Sequence, residues 1–394
     1  MKSNKYIPLF VVTFFAAITT FFVFFCDGIY YYKELQHTTS VKKTDIKFNL
    51  FVDINKTKSS VFSEVNDLSI NALNCSMKDL MRLDSFASLI NWNYDLDHAH
   101  LTLSIGNCNF DVIDRDFARE CIRRNSPDGI RLMGDSMTRY QYLNLAHFLA
   151  TGNWTSDKAM PNENERKFPG WTDFYQLTNQ RMQGYEICDC QRANEIIIEH
   201  RYFNHDNIMI SYNQIFGRES DVLINDLQLL NISSCKQSKC QQDLCSPGAC
   251  GSTPSLKNLG TILNPGVLQE MFELLPSSDT FFNAGHWWMS SEQANTFPLS
   301  RDHFVNEIFN ARQAGMSSRF HWKMTTGRAS MNIQPEYAFA NELVSAAVVC
   351  DIFDSFSITA QIPLNFPEMQ WDSMHFESDI YVGLNQALIS FICS

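Results

Sequence analysis

The sequence predicts an α/β protein whose sheet is mainly parallel and covered by helices on both faces. Short apolar runs bounded by turn residues are typical of buried strands, and they occur at residues 130–133, 221–224, 280–282 and 345–349. Segments with apolar residues at helical spacing occur at residues 138–150, 267–275 and 381–392. Strands that alternate with helices favour a parallel sheet, because each crossover helix packs on a face of it. Sites in such sheets lie beyond the carboxyl ends of the strands.

The first element of the chain is an apolar segment, residues 7–25, which contains no charged residue. It is long enough to cross a bilayer core about 30 Å thick and longer than the apolar region of a cleaved signal peptide, which has about 7–15 residues. Lys2 and Lys5 precede it, so the positive-inside tendency predicts a cytosolic N-terminus. We therefore expect a cytoplasmic tail of residues 1–6 and a transmembrane signal anchor, with a cleaved signal peptide as the alternative.

A stem and one large domain are expected to follow the anchor. Residues 26–74 contain polar stretches such as Thr38-Thr39-Ser40, with strand-like apolar residues such as Phe48 and Leu50 between them. Residues 75–394 have the length of a large single domain. Of the 12 cysteines only Cys26 lies at the membrane, so an odd number remains and one is free or intermolecular. Glycosylation sequons occur at Asn55, Asn74, Asn153 and Asn231. Disulfides and N-glycans both indicate the lumenal or extracellular side.

The overall charge narrows the class of partner. The net charge is −12, from 43 acidic and 31 basic residues. A chain of this sign repels nucleic acid and anionic membrane surfaces, so neither is expected as the main partner. A neutral or weakly charged substrate fits the composition better.

Three groups of residues resemble metal or nucleotide sites, and we give each a structural interpretation. Four cysteines recur at a spacing of five, at Cys235, Cys240, Cys245 and Cys250. Zinc sites usually place paired cysteines about two to four residues apart, so disulfides are favoured here. His98 and His100 lack carboxylate or cysteine partners, and Asp95-Leu96-Asp97 has the character of a solvated loop rather than a glycosyltransferase motif. No metal or other cofactor is expected.

The residues of chemical interest begin at Gly134-Asp135-Ser136, directly after the first predicted strand. A helical segment follows, so Ser136 is expected on a strand-to-helix turn where helix N–H groups can face an oxyanion. A serine hydroxyl becomes a nucleophile when an imidazole takes its proton and a carboxylate orients that imidazole. Near the end of the chain, Asp372 and His375 are three residues apart and can meet on one turn. Ser136, His375 and Asp372 therefore form a candidate catalytic triad.

A second candidate segment follows the predicted strand at residues 280–282. Asn283 lies at the strand end, where its side-chain amide is expected to donate to a developing oxyanion. Trp287 and Trp288 are candidates for stacking on sugar rings, with packing in the core as the structural alternative. His286 is an alternative base, but no carboxylate precedes it by three residues.

Taken in order, these motifs resemble the trichome-birefringence-like proteins within the wider PC-esterase and SGNH/GDSL hydrolase group. The resemblance covers roughly residues 105–394 and rests on GDSMTRYQ, FNAGHWW and DSMH, together with the lead-in at residues 108–123 and Trp-Lys-Met-Thr-Thr at 322–326. The chain departs from the plant pattern after His375, where Phe376 and Glu377 replace Trp and Cys. The chemistry of the family is therefore better supported than its acceptor specificity.

The resemblance implies a fold, a chemistry and a cellular location. Members of the family are membrane-anchored Golgi enzymes with an SGNH-like three-layer α/β/α domain that move acetyl groups onto polysaccharide hydroxyls, and some relatives remove them. By position, Ser136 would be the nucleophile, His375 the base and Asp372 its partner. The Ser136 N–H and Asn283 would form the oxyanion hole. Arg139 matches the arginine that follows the family's GDS. Asp135, the aspartate of GDS, is expected with Arg139 among the residues that bind the substrate or the oxyanion.

From sequence we therefore expect a type II Golgi membrane glycoprotein, with the ER or cell surface as alternatives. Its activity would be serine-dependent O-acyl transfer to a glycan or polysaccharide, with an acetyl ester or acetyl-CoA as co-substrate. A carbohydrate esterase with the same triad is one alternative. A non-catalytic glycan-binding protein on the same fold is another, and a glycosyltransferase is a third.

Overall fold

The computed structural model describes the following parts of the chain: residues 73–95, 100–154, 177–178, 180–191, 198–215, 221–225, 256–261, 264–274, 276–286, 301–328, 331–372 and 374–394. The chain divides into two units, Met1–Leu68 and Ser69–Ser394, and all of these residues belong to the second unit. Among them, no helix is long and apolar enough to cross a bilayer. The predicted tail and anchor, and the stem as far as residue 72, lie outside the described residues and stay predictions.

The secondary structure alternates between strands and helices along much of the domain. The strands are β1 Ile90–Asp95, β2 His100–Ile105, β3 Ile130–Gly134, β4 Glu186–Gln191, β5 Ile198–His205, β6 Ile208–Gln214, β7 Asp221–Asn225, β8 Leu256–Thr261, β9 Asp279–Phe282, β10 Arg319–Lys323 and β11 Ile352–Phe353. The helices are α1 Met77–Met81, α2 Phe86–Leu89, α3 Arg115–Asn125, α4 Ser136–Thr151, α5 Val267–Leu274, α6 Arg301–Gln313, α7 Gln334–Ser345, α8 Ser355–Thr359, α9 Ile362–Asn365 and α10 Ser378–Cys393.

The central element is a seven-stranded sheet in the order β11-β10-β9-β3-β6-β5-β4. The five strands from β11 to β6 are parallel to one another, whereas β5 runs antiparallel to both of its neighbours. The sheet is therefore mainly parallel, as predicted. Two further pairs, β1 with β2 and β7 with β8, form small antiparallel sheets.

Helices cover both faces of the central sheet. Successive side chains of a strand point to opposite faces. Leu132 accordingly packs in a core with α3, α4 and α10, while Met133 packs in a second core with α5, α6 and α7. Phe281 and Phe282 of the neighbouring strand divide between the same two cores. The continuous apolar runs of β3 and β9 follow from this burial on both sides.

Most predicted elements are confirmed. Residues 130–133 and 280–282 lie in β3 and β9, and the three predicted helices correspond to α4, α5 and α10. Residues 221–224 do form a strand, but it pairs antiparallel with β8 in a separate sheet. An apolar run predicts burial and extension, and it cannot by itself identify the partner strand.

The strand predicted at residues 345–349 is wrong. Ser345 is the last residue of α7, and Ala347 has a left-handed backbone with φ 53°. Val348 and Val349 are buried because the turn packs against the second core, and both of their N–H groups reach the carbonyl of Leu343. The nearby strand, β11, begins only at Ile352.

Two disulfides are present among the described cysteines. One joins Cys75 to Cys108, and the other joins Cys121 of α3 to Cys393 at the end of α10. Cys350 is also disulfide-bonded. These bonds confirm that the domain contains disulfides, whereas the cysteines at 235–250 lie outside the part of the chain that the structure describes.

Candidate active site

The turn between β3 and α4 presents Ser136 as the first residue of the helix. Asp135 is the N-cap, and its Oδ1 accepts the N–H of Met137 at 3.0 Å. A Cβ at Gly134 would lie 2.5 Å from Oγ1 of Thr138, so this position requires glycine. At its other end α4 stops at Gly152, whose left-handed backbone is typical of a helix C-terminus.

The three predicted triad residues lie together. Ser136 Oγ is 2.7 Å from Nε2 of His375, and Nδ1 of His375 is 2.8 Å from Oδ2 of Asp372. Both contacts are within hydrogen-bond distance. Nε2 faces the serine hydroxyl and Nδ1 faces the carboxylate, which is the arrangement that a general base requires. Ser136 retains 9% of its surface accessible. The residue is therefore largely buried, with its hydroxyl held by the imidazole.

The carboxylate of Asp372 is well suited to orient that imidazole. Its Oδ1 accepts the backbone N–H groups of Met374 and His375, each at 2.7 Å, which leaves Oδ2 for the ring. Burial raises the pKa of this carboxyl, but the side-chain hydrogen bond from His375 and the two backbone hydrogen bonds outweigh it and hold the pKa well below its usual range. Asp372 is therefore ionised at neutral pH and accepts a proton-bearing Nδ1.

Two aromatic rings enclose the imidazole. The indole of Trp371 stacks on His375 with ring centroids 4.6 Å apart and an angle of 13° between the planes. Tyr140, one turn of α4 beyond Ser136, meets the imidazole edge-on at 5.5 Å. The Nε1 group of Trp371 donates to the carbonyl of Phe376 at 3.1 Å, which fixes the indole over the ring. Sequence reasoning missed Trp371, although an aromatic residue directly before the Asp372 motif was a usable signal.

Asp135 connects the turn to the loop after β9. Its Oδ2 accepts the backbone N–H of His286 at 2.8 Å. Gly285 has φ 74°, and a Cβ there would lie 2.6 Å from the same oxygen, so only glycine permits this approach. Asp135 therefore positions both loops, and in this structure its two carboxylate oxygens are used for that purpose.

Asn283 lies at the predicted strand end, directly beside the turn. It is buried, and its Nδ2 donates to the carbonyl of Lys323 at 2.9 Å and to Oγ1 of Thr325 at 3.3 Å. Its amide protons are thus directed at the neighbouring strand end rather than at open space. The backbone N–H of Ser136, by contrast, has no hydrogen-bond partner among the described residues, as is usual for the first residue of a helix.

Beneath the turn lies a buried pair of ionisable residues that sequence reasoning did not single out. Lys323 contacts Oγ1 of Thr138 through Nζ at 3.4 Å, and burial lowers its pKa to about 8. Glu336 accepts hydrogen bonds from Trp322 Nε1 and Thr325 N, each at 3.0 Å, and burial raises its pKa to about 7. No spacing rule relates a lysine in a strand to a glutamate in the following helix.

The remaining candidates have different surroundings. His286 is buried, burial lowers its pKa, and its Nε2 contacts Oγ1 of Thr326 at 3.2 Å. Within the described contacts, His375 rather than His286 bonds to Ser136. Arg139 is buried with its guanidinium 4.7 Å from the centroid of the Tyr140 ring. Trp287 and Trp288 lie outside the described residues.

Two of the predicted glycosylation sites fall in described segments, and both asparagines are exposed: Asn74 and Asn153. Asn55 and Asn231 lie outside those segments. The described residues contain no group of three or more His, Cys, Asp or Glu side chains arranged to hold a metal ion.

The chain was also compared with known proteins. Models of protein families, curated proteins and solved structures gave no match.

Proposed function

We propose that the protein is a serine-dependent O-acyltransferase, most simply an O-acetyltransferase, that acts on glycan hydroxyls. The observation that carries this proposal is the continuous relay from Ser136 through His375 to Asp372 at a strand-to-helix turn. The mainly parallel sheet with helices on both faces is compatible with an SGNH-like domain, which the sequence motifs favour. The two disulfides support a lumenal domain, and a type II Golgi location is part of the proposal.

In the first half-reaction, His375 Nε2 takes the proton of the Ser136 hydroxyl as its oxygen attacks the acyl carbonyl. The tetrahedral intermediate then collapses, the bond to the donor's leaving group breaks, and the imidazolium returns its proton to that group. In the second half-reaction, a glycan hydroxyl gives its proton to His375 and attacks the acyl-serine. A new ester forms on the glycan and the proton returns to Ser136.

Charge on the carbonyl oxygen has to be stabilised in both steps. The unpartnered N–H of Ser136 at the helix N-terminus supports a role as one donor, because helix N-termini favour negative charge. Asn283 is the second donor that we propose. It would have to release Lys323 O or Thr325 Oγ1 when an acyl donor binds.

The proposal is tested by intact mass of the purified chain after incubation with p-nitrophenyl acetate. We expect a gain of one acetyl group, absent in Ser136→Ala and retained in Ser88→Ala, which removes an exposed serine elsewhere. Undiminished labelling of Ser136→Ala would refute the nucleophile assignment. With an added polysaccharide, faster clearance of the adduct than in water alone identifies a transferase, and equal clearance identifies an esterase. Glycan binding with no adduct and no turnover would identify a binding protein.

A further inference from the structure

Arg328, which lies beyond the end of β10 at Lys323, provides an exposed cation beside the candidate triad. All seven residues from His321 to Gly327 are buried, whereas Arg328 is exposed. Its Nη1 lies 3.8 Å from Sδ of Met374, the residue directly before His375. The guanidinium therefore lies beside the turn that carries Asp372 and His375.

The backbone that carries this arginine is firmly anchored. The N–H of Gly327 donates to Oγ1 of Thr359 at 2.6 Å. A Cβ at Gly327 would lie 2.4 Å from the Cα of Ala360, so the chain passes in direct contact with the end of α8. These contacts position the backbone directly before Arg328.

The guanidinium makes no ion pair with any carboxylate in the described part of the chain. The nearest acidic groups of the site have other roles. Asp372 accepts hydrogen bonds from His375 and Met374, and Asp135 accepts those of Met137 and His286. The charge of Arg328 nevertheless acts on the site. Burial is the main cause of the lowered pKa of His286, and the positive charge of Arg328 lowers that pKa further.

We infer that Arg328 binds an anionic group of a substrate while the acyl group lies at Ser136. Guanidinium forms paired, charge-assisted hydrogen bonds with carboxylate or phosphate, which a neutral sugar cannot supply. The chain as a whole carries a net charge of −12. An exposed cation beside the triad therefore favours anions locally, although the net charge of the chain is negative. This inference rests on the proposed function.

The anion has two possible sources, namely an acidic sugar in the acceptor or a charged leaving group in the donor. To test the donor, the kcat/KM for 4-acetoxybenzoate is divided by the kcat/KM for its neutral methyl ester. To test the acceptor, the rate at which methyl glucuronide removes the acetyl group from Ser136 is divided by the rate for methyl glucoside. The carboxylate is the only charge in each pair. The neutral members also differ in reactivity, because the methyl ester has a better leaving group and the glucoside has an additional primary hydroxyl, so each ratio is compared between the parent and Arg328→Gln.

We expect the ratio of the anionic to the neutral member of one pair to be about fivefold to tenfold higher in the parent protein than in Arg328→Gln. Arg328→Lys is expected to retain part of that difference, because lysine keeps the charge but lacks the paired N–H donors of the guanidinium. Arg123→Gln, which removes an exposed arginine of α3, is the control and is expected to keep the parent ratio. Added salt should lower the ratio of the parent and not that of Arg328→Gln.

The outcomes separate the two proposals. Acetylation of Ser136 with ratios for both pairs that Arg328→Gln leaves unchanged would overturn the role of Arg328 and leave the proposed function intact. A chain that never acetylates Ser136 would remove the proposed function itself. Labelling of the Arg328 variants by the neutral ester establishes that they are folded.

Discussion

Within the candidate triad, each oxygen of Asp372 has a separate task. Oδ1 accepts two backbone N–H groups of its own turn, and Oδ2 accepts the ring of His375. Because the turn holds the carboxylate, the carboxylate can hold the imidazole without help from a distant element. The separation of three residues between Asp372 and His375 is therefore sufficient to build this half of the site locally.

Trp371 leads to a prediction about the position of the imidazole. Replacement by alanine removes the stacked indole and the hydrogen bond to Phe376, so His375 gains freedom to leave Ser136. Stacked aromatic pairs contribute about 0.5–1.5 kcal/mol. We therefore expect Trp371→Ala to lower kcat about threefold to tenfold with little change in KM.

Trp371→Phe is expected to restore most of that activity, because phenylalanine still presents a flat ring. The measurement is steady-state hydrolysis of p-nitrophenyl acetate with folding checked by circular dichroism. Equal activity of the alanine variant and the parent would show that the stacking has no positioning role.

At the scale of elements, the end of β10 and the start of α7 are joined by buried Glu336. Its Oε1 accepts from Trp322 in the strand and from Thr325 just beyond it. Thr325 also accepts the amide of Asn283, so α7 indirectly supports the end of β9. The loops that surround Ser136 are thus connected through one carboxyl group that burial maintains mostly protonated below about pH 7.

This connection predicts a pH-dependent stability. The folded-state pKa of Glu336 is about 7 against an ordinary value of 4.5, so the folded chain binds an extra proton between these values. Its stabilising contribution is complete below about pH 4.5 and is lost as the pH rises through about 7. We expect the free energy of unfolding to fall by about 2 kcal/mol from pH 5 to 7.5 on this account.

Glu336→Gln can still accept both hydrogen bonds through its amide oxygen but cannot ionise, so its pH dependence should be weaker by that amount. Urea unfolding at the two pH values measures this difference, with exposed Glu368→Gln as the control. The same slope for Glu336→Gln and the parent would contradict the assignment of the proton to Glu336.

At the scale of the whole molecule, the order of strands explains where the site lies. The chain moves from β3 to its neighbour β6 on one side, and later returns to β9 on the other side of β3. α4 packs on one face and α5 on the opposite face. A crevice forms where connections diverge in this way, beyond the carboxyl end of the strand between them. Ser136 follows β3 at that point.

The lengths of the loops that the two disulfides close predict how much each disulfide adds to the free energy of unfolding. Cys121 and Cys393 are 272 residues apart, whereas Cys75 and Cys108 are 33 apart. In the chain-entropy model the longer loop stabilises by about 2 kcal/mol more, because the unfolded chain loses more freedom. We expect alanine replacement of both Cys121 and Cys393 to cost correspondingly more than replacement of the other pair, as measured by urea unfolding under non-reducing conditions. A larger loss for the 33-residue loop would contradict this prediction.

Local patterns were sufficient for some strands and helices of the domain and for part of the site. The apolar runs of β3 and β9, the helical spacing of α4 and α10, and the turn containing Asp372 and His375 each depend on neighbours within one or two turns of the chain. Physical rules for such short segments are strong, because the backbone and the nearest side chains decide them. The wrong strand prediction at residues 345–349 also came from a local pattern. An apolar run indicates burial, and a buried turn satisfies it as readily as a strand does.

The sequence by itself therefore determined the α/β class, the strand-to-helix turn at Ser136 and the pairing of Asp372 with His375. Only the tertiary structure decided that His375 reaches Ser136 across 239 residues, that the amide of Asn283 is directed at β10, and that an exposed Arg328 stands beside the triad. These contacts join residues that are distant along the chain. Their geometry depends on the packing of complete strands and helices, and no local spacing contains that information.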